Sequence, residues 1–81
     1  MTLDQAFQLI LDVLKKTPDL KTKIPMDKLS LQTRIRNEMG FDSLALAAFF
    51  YELQDLHPEL QESSVNQWLT LEDCAKTLSK L

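Results

Sequence analysis

Residues 39–46 read Met-Gly-Phe-Asp-Ser-Leu-Ala-Leu and hold the only glycine of an 81-residue chain. Asp42 is a good helix N-cap, because its short carboxylate can accept one of the N–H groups left free where a helix opens. From Ser43 to Leu56 strong helix formers follow, with apolar side chains at 46, 49, 50, 53 and 56, the spacing of one helical face. His57-Pro58 ends the run, since the residue before a proline is pushed out of helical geometry. The stretch predicts a helix over 43–56 entered through a tight turn at Gly40, where the missing side chain lets the backbone bend sharply or approach another surface.

Upstream, Thr2-Leu3-Asp4-Gln5 has the form of a capping box, and apolar residues at 3, 6, 7, 10, 13 and 14 mark an amphipathic helix from about Leu3 to Lys16. Lys15 and Lys16 suit the negative end of its dipole, and Pro18 lies just beyond. Residues 17–41 lack strong periodicity. Their apolar residues Leu20, Ile24, Met26, Leu29, Leu31 and Ile35 predict an ordered loop pinned to the core, with one helical turn. Downstream, Ser64-Val65-Asn66-Gln67 has capping-box form and predicts a short helix, with Trp68 and Leu69 turned inward. Thr70 opens a last helix with apolar residues at 71, 74, 75, 78 and 81. No strand alternation is present. The expected fold is all-α: a small bundle of three main helices and one short helix, with a long ordered loop between helices one and two, in one domain over 1–81.

Composition narrows the function. With 44% apolar and 26% charged residues, the chain has the balance of an ordinary globular domain. Its 12 acidic residues exceed its 9 basic ones, for a net charge of −3, whereas nucleic-acid binders present a basic face; no nucleic-acid partner is expected. Residues 1–41 carry seven Lys/Arg against five Asp/Glu, and residues 42–81 two against seven, so an acidic docking surface belongs to the second half. A single cysteine, Cys74, makes no internal disulfide and reads as an inert buried thiol. The first residues lack the positive charge of a secretory signal, so a cytoplasmic location is expected. The longest apolar run, Leu44 to Tyr51, is far short of the ~20 residues that span a bilayer, so no membrane span is expected.

Catalytic constellations are missing. One His and one Cys do not make a zinc site. Ser43, His57 and Asp42 do not form a hydrolase triad, because Ser43 and His57 lie about 20 Å apart along the helix between them. One glycine cannot supply a glycine-rich phosphate loop. What remains is Ser43 itself, at a helix N-terminus whose free N–H groups and dipole favour a phosphate nearby. No enzymatic activity is expected.

Gly40-x-Asp42-Ser43-Leu44, opening helix two of a small acidic helical domain, resembles the phosphopantetheine attachment motif of acyl carrier proteins. Ile35, Glu38 and Met39 match the lead into that motif, and Thr70-Leu71-Glu72-Asp73 is similar to the start of the family's last helix. The resemblance implies a carrier: a phosphopantetheinyl transferase moves phosphopantetheine from coenzyme A onto Ser43. The thiol of this covalent cofactor then holds an acyl chain as a thioester for separate acyl-transferring and condensing enzymes. It implies that Asp42 helps position the serine and a metal-bound coenzyme A, and that Leu44 forms part of the docking surface. Carriers of primary fatty-acid synthesis usually have acidic residues two and five positions after the serine; here those are Ala45 and Ala48, and only Glu52 and Asp55 remain acidic on helix two. That departure implies a dedicated fatty-acid, polyketide or related pathway, with docking through Leu44, Ala45, Ala48, Glu52 and Asp55; a monomer is expected. Two alternatives stay open: a peptidyl carrier domain, which typically reads Leu-Gly-Gly-x-Ser-Leu, and a small helical adaptor that binds a partner through the apolar surface of helix two.

Overall fold

The computed structural model describes all residues from Met1 to Leu81. Three α-helices, α1 (Leu3–Lys16), α2 (Ser43–Leu56) and α3 (Leu71–Ser79), alternate with two short 3-10 helices, Met26–Lys28 and Glu62–Gln67. There are no strands, and the fold is an all-α bundle. α1 begins at a complete capping box: the Thr2 hydroxyl accepts the Gln5 N–H at 3.1 Å, and Gln5 Oε1 accepts the Thr2 N–H at 2.9 Å. α3 repeats the device with Thr70 and Asp73.

Each helix turns its apolar stripe to one shared core. α1 contributes Ala6, Ile10, Val13 and Leu14; α2 contributes Leu46, Phe49, Phe50 and Leu53; α3 contributes Leu71, Cys74, Ala75 and Leu78. Phe49 sits between Phe41 and Trp68, edge to face with both at centroid separations of 6.1 and 6.2 Å. Burying a side chain of this size is worth ~3 kcal/mol at most, so the aromatic cluster is a large share of what holds so small a core.

The 17–42 segment is ordered, as its apolar residues predict. Leu20, Leu29, Ile35, Met39 and Phe41 are buried, while Ile24, Met26 and Leu31 pack against the core from its edge. The loop also closes the start of α3. The Leu71 N–H donates to the Thr33 carbonyl at 3.0 Å and the Glu72 N–H to the Leu31 carbonyl at 2.8 Å, occupying two donors that a helix N-terminus otherwise leaves free.

Four details differ from the sequence-based expectation. The short helix is a 3-10 helix that starts two residues earlier, at Glu62, with no side-chain cap. Ser64 lies inside it, donating its N–H to the Gln61 carbonyl at 3.0 Å, so the apparent capping box never forms. Leu69 points outward and is 73% exposed while Trp68 is buried: the chain bends at Leu69, whose carbonyl accepts the Ile35 N–H at 3.0 Å. Leu56, the final residue of α2, and Leu81, beyond the end of α3, are both largely exposed rather than part of the core.

Candidate functional site

The site at the N-terminus of α2 is built by the loop before it. The Glu38 and Met39 N–H groups both donate to the Arg34 carbonyl at 3.0 Å, and Glu38 Oε1 accepts the Arg34 N–H at 2.8 Å, folding residues 34–39 into a closed turn. Met39 and Phe41 then plunge into the core on either side of Gly40. Phe41 donates its N–H to the Ile35 carbonyl at 3.2 Å, and Lys23 donates its N–H to the Met39 carbonyl at 3.0 Å. To meet these constraints Gly40 takes φ +80°, the left-handed region that side chains resist. The aliphatic stem of Lys23 lies directly over it: a Cβ on Gly40 would come within 2.7 Å of Lys23 Cε. The stem of Lys23 thus covers Gly40, while the residue stays exposed like Lys21 and Lys28.

From this turn α2 starts. Asp42 Oδ1 accepts the Ala45 N–H at 2.8 Å, and the Asp42 carbonyl accepts the Leu46 N–H at 2.9 Å. The N–H groups of Ser43 and Leu44 have no acceptor in the protein, and neither does the Ser43 hydroxyl. Ser43 is exposed as the first residue of the helix. The two long helix N-termini that face the loop therefore differ: that of α3 is filled by the Thr33 and Leu31 carbonyls, while that of α2 presents free donors, the positive end of a dipole and an unengaged hydroxyl to solvent. Asp42, Ser43 and Leu44 stand together there, with Leu44 82% exposed.

The remaining candidate docking residues are spread along α2. Ala48 is exposed one turn beyond Leu44, but Ala45 is half-buried and packs against the core. Glu52 and Asp55 are exposed at the far end, and with Leu56 they form one wall of a groove of about 300 Å³ whose other wall includes Asp12 and Lys16 of α1. The contribution of Asp12 was not visible in the sequence, since it follows from how α1 crosses α2. His57 lies at the opposite end of α2 from Ser43 and pairs with Glu59 at 3.1 Å. Cys74 is fully buried, and burial together with the nearby charge of Asp73 pushes its thiol well above the ordinary range, leaving it protonated and unreactive. No three His, Cys, Asp or Glu side chains are grouped to hold a metal ion. No helix is long and apolar enough to cross a membrane. Three clefts open on the surface, and none is lined by Phe49, Phe50 or Leu53.

Among known proteins, no family model and no curated sequence matches this chain.

Proposed function

We propose that this chain is an acyl carrier protein that takes a phosphopantetheine arm on Ser43. The observation that carries the reading is the exposed, unbonded Ser43 hydroxyl at the open N-terminus of α2, directly after an Asp42 cap and a left-handed Gly40. In the loading step the Ser43 oxygen attacks the coenzyme A phosphorus that bears the pantetheine. A new Oγ–P bond forms, the bond from that phosphorus to the bridging pyrophosphate oxygen breaks, adenosine 3′,5′-bisphosphate leaves, and the serine proton passes to a base of the transferase. Free N–H groups and the helix dipole favour the resulting phosphodiester. Asp42 uses Oδ1 as the cap, and its other carboxylate oxygen is free to face a metal-bound coenzyme A.

Partners on this reading are a phosphopantetheinyl transferase and the acyl-transferring and condensing enzymes of one pathway, with the acyl chain as cargo, in the cytoplasm. Met39-Gly40-Phe41-Asp42 favours an acyl over a peptidyl carrier, because the latter typically has a second glycine where Phe41 stands. Phe41 is buried against Phe49, so that difference reaches the core. The test is intact mass after incubation with coenzyme A and a broad-specificity phosphopantetheinyl transferase. Gain of one phosphopantetheine supports the carrier; an unchanged mass favours an adaptor that binds a protein through Leu44 and the exposed side of α2.

A further inference from the structure

A second cleft lies beside the same loop, between residues 34–37 and residues 68–70. It has a volume of about 390 Å³ and is lined by Arg34, Arg36, Asn37, Trp68, Leu69 and Thr70. Its two walls are tied together: the Ile35 N–H donates to the Leu69 carbonyl at 3.0 Å, and Arg34 pairs with Thr70 in an isolated antiparallel bridge. Arg34 and Arg36 are both exposed. The only Lys–carboxylate pair of the molecule is Lys76–Glu72, and neither guanidinium lies within ion-pair distance of a carboxylate. The nearest acid in sequence, Glu38, is already engaged by the Arg34 backbone N–H at 2.8 Å.

Two unpaired arginines on one cleft of a net-negative chain favour an anion, and their forked N–H donors suit a carboxylate or a phosphate. Leu69 adds an exposed apolar wall next to them, which suits methylene groups. The ligand this surface fits is a carboxylate on a short apolar stem. It is also within reach of Ser43. Ser43 lies two residues from Phe41, whose N–H is 3.2 Å from the Ile35 carbonyl, so Ser43 and Ile35 are at most roughly 15 Å apart. A phosphopantetheine arm has a backbone equal to roughly five extended residues, or ~17 Å.

We infer that this cleft holds the free carboxylate of the cargo, so that the acyl groups carried are ω-carboxyacyl groups, bound as a thioester at one end and by Arg34 and Arg36 at the other. The inference rests on Ser43 as the attachment point. To test it, the chain is loaded by a phosphopantetheinyl transferase with either glutaryl-coenzyme A or pentanoyl-coenzyme A, which give five-carbon cargoes differing in the terminal carboxylate. NMR then follows the Arg34 and Arg36 Nε–H groups and the Leu69 methyls. The glutaryl form is expected to shift all three relative to the pentanoyl form, and the difference is expected to disappear in Arg34→Gln/Arg36→Gln and to shrink in added salt. Because the Arg34 backbone is part of the Thr70 bridge, Arg36→Gln alone serves as the second variant, with a partial loss expected. Identical spectra for the two cargoes, or a difference that survives removal of both arginines, would overturn the inference while leaving Ser43 loading intact. Failure of both coenzyme A thioesters to load would overturn the carrier reading and the inference with it.

Discussion

At the scale of single residues, Gly40 matters for its backbone conformation more than for the space it leaves. A side chain there would meet the stem of Lys23, but that stem is flexible and can swing away; the φ of +80° stays and penalises any L-residue, β-branched ones most. Gly40→Val should lower stability by ~2 kcal/mol, whereas Lys21→Ala, at an exposed position, should change it by less than ~0.5 kcal/mol. Equal melting temperatures for the two variants would refute the conformational argument. Removing the cap with Asp42→Ala should cost ~1 kcal/mol, because the Ala45 N–H loses its acceptor. The turn at Gly40 and the cap at Asp42 were legible in the sequence because both depend on local backbone preferences. The Lys23 stem over Gly40 was not, since that contact arises from the path of the whole loop.

Among the elements, the boundaries of α1 and α2 were readable from caps and apolar spacing alone, and both helices start and stop where those signals lie. The short helix before α3 and the burial of Trp68 were legible, but a capping box and a 3-10 turn share the same short polar sequence, and the exposure of Leu69 depends on backbone pairing with residues 34–35 that spacing does not show. α3 carries a testable charge. Burial acts to raise the Asp73 carboxyl, but the N–H groups of Thr70 and Leu69, the Thr70 hydroxyl and Lys76 outweigh it and hold the group below its ordinary value. A carboxyl lowered in the folded state stabilises above its unfolded value, near ~4, and that contribution is lost as pH falls through the folded value. Asp73→Asn should therefore be less stable than the parent at pH 6, and the gap between their melting temperatures should narrow toward pH 2. A gap that is constant across this range would exclude the ionic contribution.

For the molecule as a whole, the docking surface proposed for α2 is bounded by which of its residues face solvent. Ala48 and Leu44 are exposed and Ala45 is half-buried, so a carboxylate placed at 45 would be drawn toward the core and confuse folding with recognition. Ala48→Glu alone is the clean substitution. Charged surface pairs act mainly on encounter rate and on excluding wrong partners, so this change should raise turnover of the loaded chain by a ketosynthase of primary fatty-acid synthesis at low salt, with the gain fading as salt is added. No gain, with the fold intact, would remove the case that this surface is tuned to a dedicated pathway. The all-α fold was legible because one apolar face per helix defines it, but which α2 residues stay exposed depends on packing that spacing alone does not resolve. Everything rests finally on Ser43. The most direct measurement is mass mapping of the phosphopantetheine after treatment with coenzyme A and transferase, on the parent and on Ser43→Ala. We expect the group on Ser43 and not on Ser30, Ser63, Ser64 or Ser79, with Ser43→Ala unmodified and as helical as the parent. Loading at another serine, or loading of a folded Ser43→Ala chain, would contradict the account.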